Sequence, residues 1–194
     1  MEKVSYALGL SLGNNLVGSG VTSLDYTLLA KGIKDVMEKN KPDMSFEEAQ
    51  SVITLFFEEL QAKISEKGQA EGKEFLALNA QRPEVITLAS GLQYEILAEG
   101  EGSIPTSTDS VKVHYHGTTL DGNIFDSSVR RGEPATFGVT QVISGWVEAL
   151  QLMPVGSKWK LFIPSDLAYG AQGAGQAIAP HATLIFEVEL LEIV

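Results

Sequence analysis

Three histidines, an Asp-Ser-Ser run and a glycine-rich stretch are the places where this 194-residue chain could break bonds. His114 and His116 stand two apart in a stretch that alternates apolar and polar, so they share one face of a strand. A metal centre there would need at least one more ligand nearby; the pair reads as exposed polar residues on the wet face. Asp126-Ser127-Ser128 offers hydroxyls beside a carboxylate, but there is no Gly-x-Ser-x-Gly elbow and the sequence places no base. The run Gly170-Ala171-Gln172-Gly173-Ala174-Gly175 imitates a dinucleotide fingerprint without the parallel strand and helix that such a fingerprint needs, and no Lys-Ser/Thr follows it. It reads as a flexible loop over a pocket. The chain has no cysteine, which excludes disulfides, thiolate chemistry and Cys-based metal sites. What remains is unusual for an enzyme: aromatic and branched residues mixed with a few hydroxyls, namely Tyr115, Phe125, Phe137, Val142, Ile143, Trp146, Tyr169 and Phe186. Each alone reads as ordinary core.

The elements that must hold these residues fall into two stretches. Before Pro83 the pattern is helical. Leu8, Leu12 and Leu16 recur four apart until Gly18-Ser19-Gly20 breaks them, and a second helix begins after Ser23 or Asp25, both good N-caps. A third begins at Ser45, where Ser and Glu48 fit a capping box, and its apolar stripe runs Ala49, Val52, Ile53, Phe56, Phe57, Leu60, Ile64. Gly68 and Gly72 soften it, at about 1 kcal/mol each relative to Ala. Unbroken from Phe46 to Asn79 it is roughly 50 Å long, at 1.5 Å per residue. Two short helices cannot cover so wide a stripe, so a second copy of the chain is the simplest partner, against the alternative of a three-helix bundle closed on itself. After Arg82-Pro83 the period becomes two. Gln93–Leu97, Val111–Tyr115, Lys158–Ile163 and Leu184–Leu190 alternate as strands with one buried face, and one short helix sits near Trp146–Leu152. The fold class is α+β: helical residues 1–83, including a long linker helix at about 46–80, then an antiparallel sheet with a packed helix over residues 84–194.

The net charge is −11. Residues 1–83 hold nine Lys/Arg against twelve Asp/Glu, and residues 84–194 hold five against thirteen, so the acidity lies mostly in the second part. Such a surface is repelled by phosphate backbones and anionic lipid faces; nucleic acid and membrane are not expected partners. No apolar run approaches the ~18–20 residues that span a bilayer, and the start lacks a basic and then apolar leader. The expected address is cytoplasmic, or periplasmic or cell envelope if a leader has been removed.

Five ordered motifs carry a family resemblance. They are Val113–Gly117, Gly122–Ser128, Gln141–Trp146, Ile163–Gly170 and Ile178–Leu190. Together they cover most of residues 91–194 and resemble the FK506-binding protein (FKBP) family of peptidyl-prolyl cis–trans isomerases. The helical part, through Val4-Ser5-Tyr6-Ala7-Leu8-Gly9 and its layout, is similar to the bacterial subgroup that includes the macrophage infectivity potentiator, which is dimeric through its N-terminal helices.

The resemblance implies an FKBP-like sheet wrapped around the short helix, no cofactor, and proline-containing unfolded or nascent polypeptides as partners. It implies a homodimer through the N-terminal helices with chaperone activity, and macrolide ligands such as FK506 as further occupants of the pocket. By the family pattern Trp146 is the floor under the proline ring. Tyr115, Phe137, Val142, Ile143 and Phe186 are walls, Phe125 presses from the side, and Ile178 faces from the opposite loop. Tyr115, Asp126 and Tyr169 are the catalytic set. The Ile143 N–H and the Tyr169 hydroxyl bond substrate carbonyls, and Asp126 is held by Tyr115 and Arg131. Ala135 stands where many members carry a second aromatic and the following segment is short, which should open that wall; Gly173 and Gly175 should make the 170–178 loop mobile. The rival reading is a non-enzymatic chaperone or peptide-binding module built on the apolar stripe of the long helix.

Overall fold

The computed structural model describes all residues from Met1 to Val194. They form two compact units, Met1–Lys63 and Ile64–Val194, and the division falls within helix α3 (Phe46–Asn79).

In the first unit, local capping chemistry sets the helix ends. Asp25 is the cap of α2 (Tyr26–Glu38), its carboxylate accepting from the Thr27 and Leu28 N–H groups at 2.8 and 3.0 Å. The helix ends where Lys39 turns left-handed and the Asn40 N–H returns to the Asp35 carbonyl at 2.9 Å. At the start of α3 the Ser45 hydroxyl accepts from the Glu48 N–H at 3.1 Å, the backbone half of the capping box. No residue of α1 (Glu2–Gly18) or α2 is buried. Leu8, Leu28, Ile53 and Phe56 are all exposed. The self-closed three-helix bundle is therefore not formed: these helices carry apolar faces that nothing in the chain covers.

The second unit is one antiparallel sheet with strand order β1-β2-β6-β7-β3-β4, and β5 pairs with β3 beside β4. The strands are β1 (Val85–Thr87), β2 (Gln93–Ala98), β3 (Ser110–Thr119), β4 (Ile124–Ser127), β5 (Ala135–Gly138), β6 (Lys158–Ile163) and β7 (Leu184–Ile193). The central pair, β3 and β7, buries every second residue, as alternation requires of a sheet with one dry face. Val111, Val113 and Tyr115 on β3 share that face with Leu184, Phe186, Val188 and Leu190 on β7. Helix α5 (Ser144–Leu150) lies on this face and buries Trp146, Ala149 and Leu150. Helix α4 (Ser128–Arg131) is one turn, capped by the Ser127 hydroxyl.

The C-terminal half of α3 belongs to this unit. Phe75 packs against Phe162 of β6 with ring centroids 5.8 Å apart. The buried Asn79 side-chain amide donates to the Gln93 side-chain oxygen Oε1 at 2.8 Å, and the Gln93 side-chain amide donates to the Leu76 backbone carbonyl at 2.9 Å. Arg82 then reaches Glu95 at 2.7 Å and lies over the Phe162 ring. Because Asn79 and Gln93 are both buried, truncating one strands the other. Asn79→Ala should lower stability to urea by about 1–3 kcal/mol, the cost of leaving a buried amide without its partner. A loss below about 0.5 kcal/mol, the low end for an ordinary hydrogen bond, would show that the pair does not anchor the helix.

Candidate active site

Six short segments bring side chains to one hollow of about 440 Å³. Strand β3 contributes Tyr115, β4 contributes Phe125 and Asp126, and β5 contributes Phe137. The approach to α5 contributes Val142, Ile143 and Trp146; Tyr169 comes from the loop after β6, and Phe186 from β7. Other hollows are as large. One of about 450 Å³ lies beside Gly68, but its lining mixes charged, polar and aliphatic residues and has no aromatic ring. Lining, not volume, distinguishes the candidate.

Trp146 forms the base. Its ring is 4% exposed and meets Tyr115, Phe137 and Phe186 edge to face, with centroids 5.4, 6.0 and 5.3 Å away. Its indole N–H is buried without a hydrogen-bond acceptor. Phe125 stands edge-on to Phe186 at 5.3 Å. That contact needs Gly117, since a Cβ there would lie 2.7 Å from both rings.

One polar cluster faces this apolar wall. The Tyr115 hydroxyl donates to Asp126 at 2.5 Å, and Arg131 donates to both the Asp126 carboxylate and the Tyr115 oxygen, the latter at 2.8 Å. The Ser127 N–H adds a fourth bond at 2.8 Å. Partial burial pushes the Asp126 carboxyl up, but Tyr115, Arg131 and the Ser127 N–H together outweigh it, and the net shift is below the usual 3.8. The Tyr115 phenol is raised, first by burial and then by its bond to Asp126. The cluster therefore holds a charged carboxylate at the rim of a dry site.

Two donors are free. The Ile143 carbonyl receives the Trp146 and Val147 N–H groups at 2.9 and 3.1 Å, while its own N–H has no backbone partner. Tyr169, 40% exposed, also lines the hollow, and its hydroxyl has no hydrogen-bond partner within the chain.

Of the residues singled out from the sequence, Arg131 stands behind Asp126 instead of lining the hollow, and Ile178 does not line it at all. Ile178 is buried in the main core, and its backbone pairs with Ala174 at 2.8 and 3.1 Å. Ile178 closes a tight loop: Gly173 sits at φ +62°, and a Cβ there would meet the Ile178 and Ala179 carbonyls. Gly173 is thus fixed by close packing, whereas Gly175 has open space around it. The sequence reading missed Gln141, which lines the hollow at its rim; its place at the head of the Gln141–Trp146 motif was the available signal. The two strand histidines are half-buried, not exposed. His116 bonds the Ser127 hydroxyl at 2.9 Å and His114 the Ser128 hydroxyl at 3.1 Å, so they secure the turn that carries Asp126. No three His, Cys, Asp or Glu side chains cluster to hold a metal, and no helix is long and apolar enough to cross a membrane.

A dry, ring-lined hollow with free N–H and O–H donors at its edge suits a reaction in which no covalent bond breaks. Rotation about a peptide C–N bond meets a barrier of about 18–20 kcal/mol because the planar amide is resonance-stabilised. The half-rotated amide has a less polar carbonyl. It loses less than the planar form on leaving water, so such a hollow favours it, which is differential binding of the transition state.

The comparisons with known proteins agree with this chemistry. Residues 101–191 match the model of the FKBP-type peptidyl-prolyl cis-trans isomerase family, and residues 1–96 match the domain amino terminal to FKBP-type peptidyl-prolyl isomerase. The chain is 47% identical over 194 residues to the FKBP-type 22 kDa peptidyl-prolyl cis-trans isomerase of Escherichia coli K12, covering 98% of this chain and 94% of that one. It is 43% identical over 199 residues to the outer membrane protein MIP of Legionella longbeachae, with 99% and 85% covered. The crystal structure of FkpA from Escherichia coli superposes with a TM-score of 0.74 at 37% identity, over 98% of this chain and 95% of that one. This chain belongs to the FKBP-type peptidyl-prolyl cis-trans isomerases, and its activity is that of the family: interconversion of the cis and trans forms of X-Pro bonds. The cytoplasmic address expected from the sequence gains no support here, since the Legionella relative is named an outer membrane protein.

The Asp126 environment makes a pH prediction. A depressed folded-state pKa means that the pairing stabilises the protein above the unfolded value and is lost as pH falls through the folded value. The ¹³C-carboxyl titration of Asp126 should show a midpoint below 3.8. Arg131→Ala should move it upward. A midpoint unchanged by that substitution would mean that the guanidinium does not hold the carboxylate.

Proposed function

We propose that the hollow over Trp146 is where the X-Pro bond turns, and the observation that carries this is the convergence of Tyr115, Phe137 and Phe186 edge-on around one indole. The proline ring rests on Trp146 between these rings and Val142. The free Ile143 N–H holds the substrate carbonyl on the far side of the proline, so one end of the bond is fixed while the other rotates. Tyr169 donates to the substrate from the opposite rim. Asp126 faces the rotating carbonyl, where its fixed charge opposes the planar dipole more than the weakened one. Tyr115 and Arg131 keep that carboxylate charged and in place. Phe125 closes the side, and Gln141 stands at the entrance.

The test is a proline tetrapeptide assay. The full chain should turn over faster than buffer, and Tyr115→Ala, Asp126→Ala and Phe186→Ala should each lower kcat/KM about ten-fold or more with far-UV circular dichroism intact. Full activity in all three would place the reaction elsewhere.

The exposed apolar faces of the first unit support a second reading that adds to the first. We infer that two copies bury these faces against each other, and that the residual apolar surface holds unfolded, proline-containing polypeptides, so that one client meets two hollows at raised local concentration. The full chain should sediment as a dimer and residues 64–194 as a monomer. The fragment should keep its tetrapeptide turnover but refold a proline-limited protein more slowly. A monomeric full chain, or equal refolding rates, would remove this role.

A further inference from the structure

Helix α3 carries two glycines, Gly68 and Gly72, in its interior, where each costs about 1 kcal/mol relative to Ala. Neither has a positive φ, so backbone conformation does not require them. Close approach does. Gly68, Gly72, Phe75 and Asn79 lie on one face of the helix. A Cβ at position 68 would stand 2.7 Å from the Pro180 carbonyl oxygen, and one at 72 would overlap the Thr183 hydroxyl. The helix thus rests its bare backbone on residues 180–183. The contact is narrow, with hollows of about 450 and 210 Å³ on either side of it. An added methyl would make the helix lift or roll toward one of them.

The segment beneath the glycines leads to the catalytic hollow in both directions. His181 has φ 56°, a value few non-glycine residues adopt, and its N–H donates to the Gly170 carbonyl at 2.8 Å. Gly170 directly follows Tyr169. On the other side, buried Thr183 immediately precedes β7, and Phe186 stands three residues on. The height of the 180–183 segment therefore sets both the Tyr169 arm and the Phe186 wall.

We propose that Gly68 and Gly72 are positioning residues for the isomerase reaction: their missing side chains let α3 seat on residues 180–183 and hold Tyr169 and Phe186 in register. The inference rests on the assignment of the hollow as the site. If that assignment failed, Phe186→Ala would be silent; if only the seat failed, Phe186→Ala would still impair turnover.

The experiment is a double-mutant cycle on the full chain, read as kcat/KM on a proline tetrapeptide. Gly72→Ala should lower kcat/KM about five-fold or more, a change of roughly 1 kcal/mol. Because its new Cβ meets a side chain, adding Thr183→Ala should bring the value back to that of Thr183→Ala alone. Gly68→Ala meets a backbone oxygen, so its loss should persist in the Thr183→Ala background. Gly9→Ala and Gly32→Ala, which meet nothing within 4 Å, should leave kcat/KM unchanged. A merely structural role would shift the melting temperature and leave kcat/KM alone. If Gly72→Ala does not fold, the two substitutions in the Thr183→Ala background carry the test, the first active and the second impaired. Wild-type kcat/KM in both glycine variants, or no rescue at position 72, would overturn the proposal.

Discussion

The structure turns on one indole. Trp146 sits beneath the hollow with three rings standing edge-on around it, and each of those rings is delivered by a different strand: Tyr115 by β3, Phe137 by β5 and Phe186 by β7. Aromatic rings prefer such edge-to-face contacts over face-to-face stacking, and each is worth about 0.5–1.5 kcal/mol beyond its burial. The sheet must therefore be in correct register for the cage to close, and a closed cage in turn locks the register. One residue of slip on β3 or β7 would turn Tyr115 or Phe186 to the wet face and empty the wall. Folding and the site are one constraint in this unit.

The second constraint is electrostatic. The apolar hollow favours the less polar, half-rotated amide whichever carbonyl turns. A carboxylate beside it adds a direction, but partial burial alone would raise its pKa. The Tyr115 hydroxyl, the Arg131 guanidinium and the Ser127 N–H prevent that. Behind them the His114–Ser128 and His116–Ser127 contacts fasten the turn, and the Ser128 hydroxyl also accepts the Tyr115 N–H at 2.7 Å. Polar side chains on the wet face of β3 thus fix what its dry face presents.

Much of this was legible in the residues. Period-two alternation located β2, β3, β6 and β7, although only β3 and β7 bury one face along their length and β2 leaves Ile96 and Leu97 exposed; it could not find β1, β4 and β5, which are three or four residues long and too short to show a period. Of the capping box legible at Ser45, the backbone half is present. The hollow's aromatic residues were recognisable as a set only through the family motifs, since each ring alone resembles core. Ile178 was placed by the same pattern, yet its side chain joins the core, a choice that burial makes and spacing does not record. Alternation alone puts the histidines on an exposed polar face; Ser127 and Ser128, at the start of α4, reach over that face and bond them, a tertiary event with no signal in the alternation.

The two tryptophans of the chain occupy contrasting settings. Trp159 lies flat against Tyr94, with centroids 4.2 Å apart and planes within 7°, on β6 and β2 away from the hollow. Trp146 lies beneath the hollow with an unpaired N–H. A guest settling on the indole changes the polarity around one fluorophore and leaves the other in its stack. The enzyme therefore carries an internal optical gauge of occupancy, with Trp159 as its built-in reference.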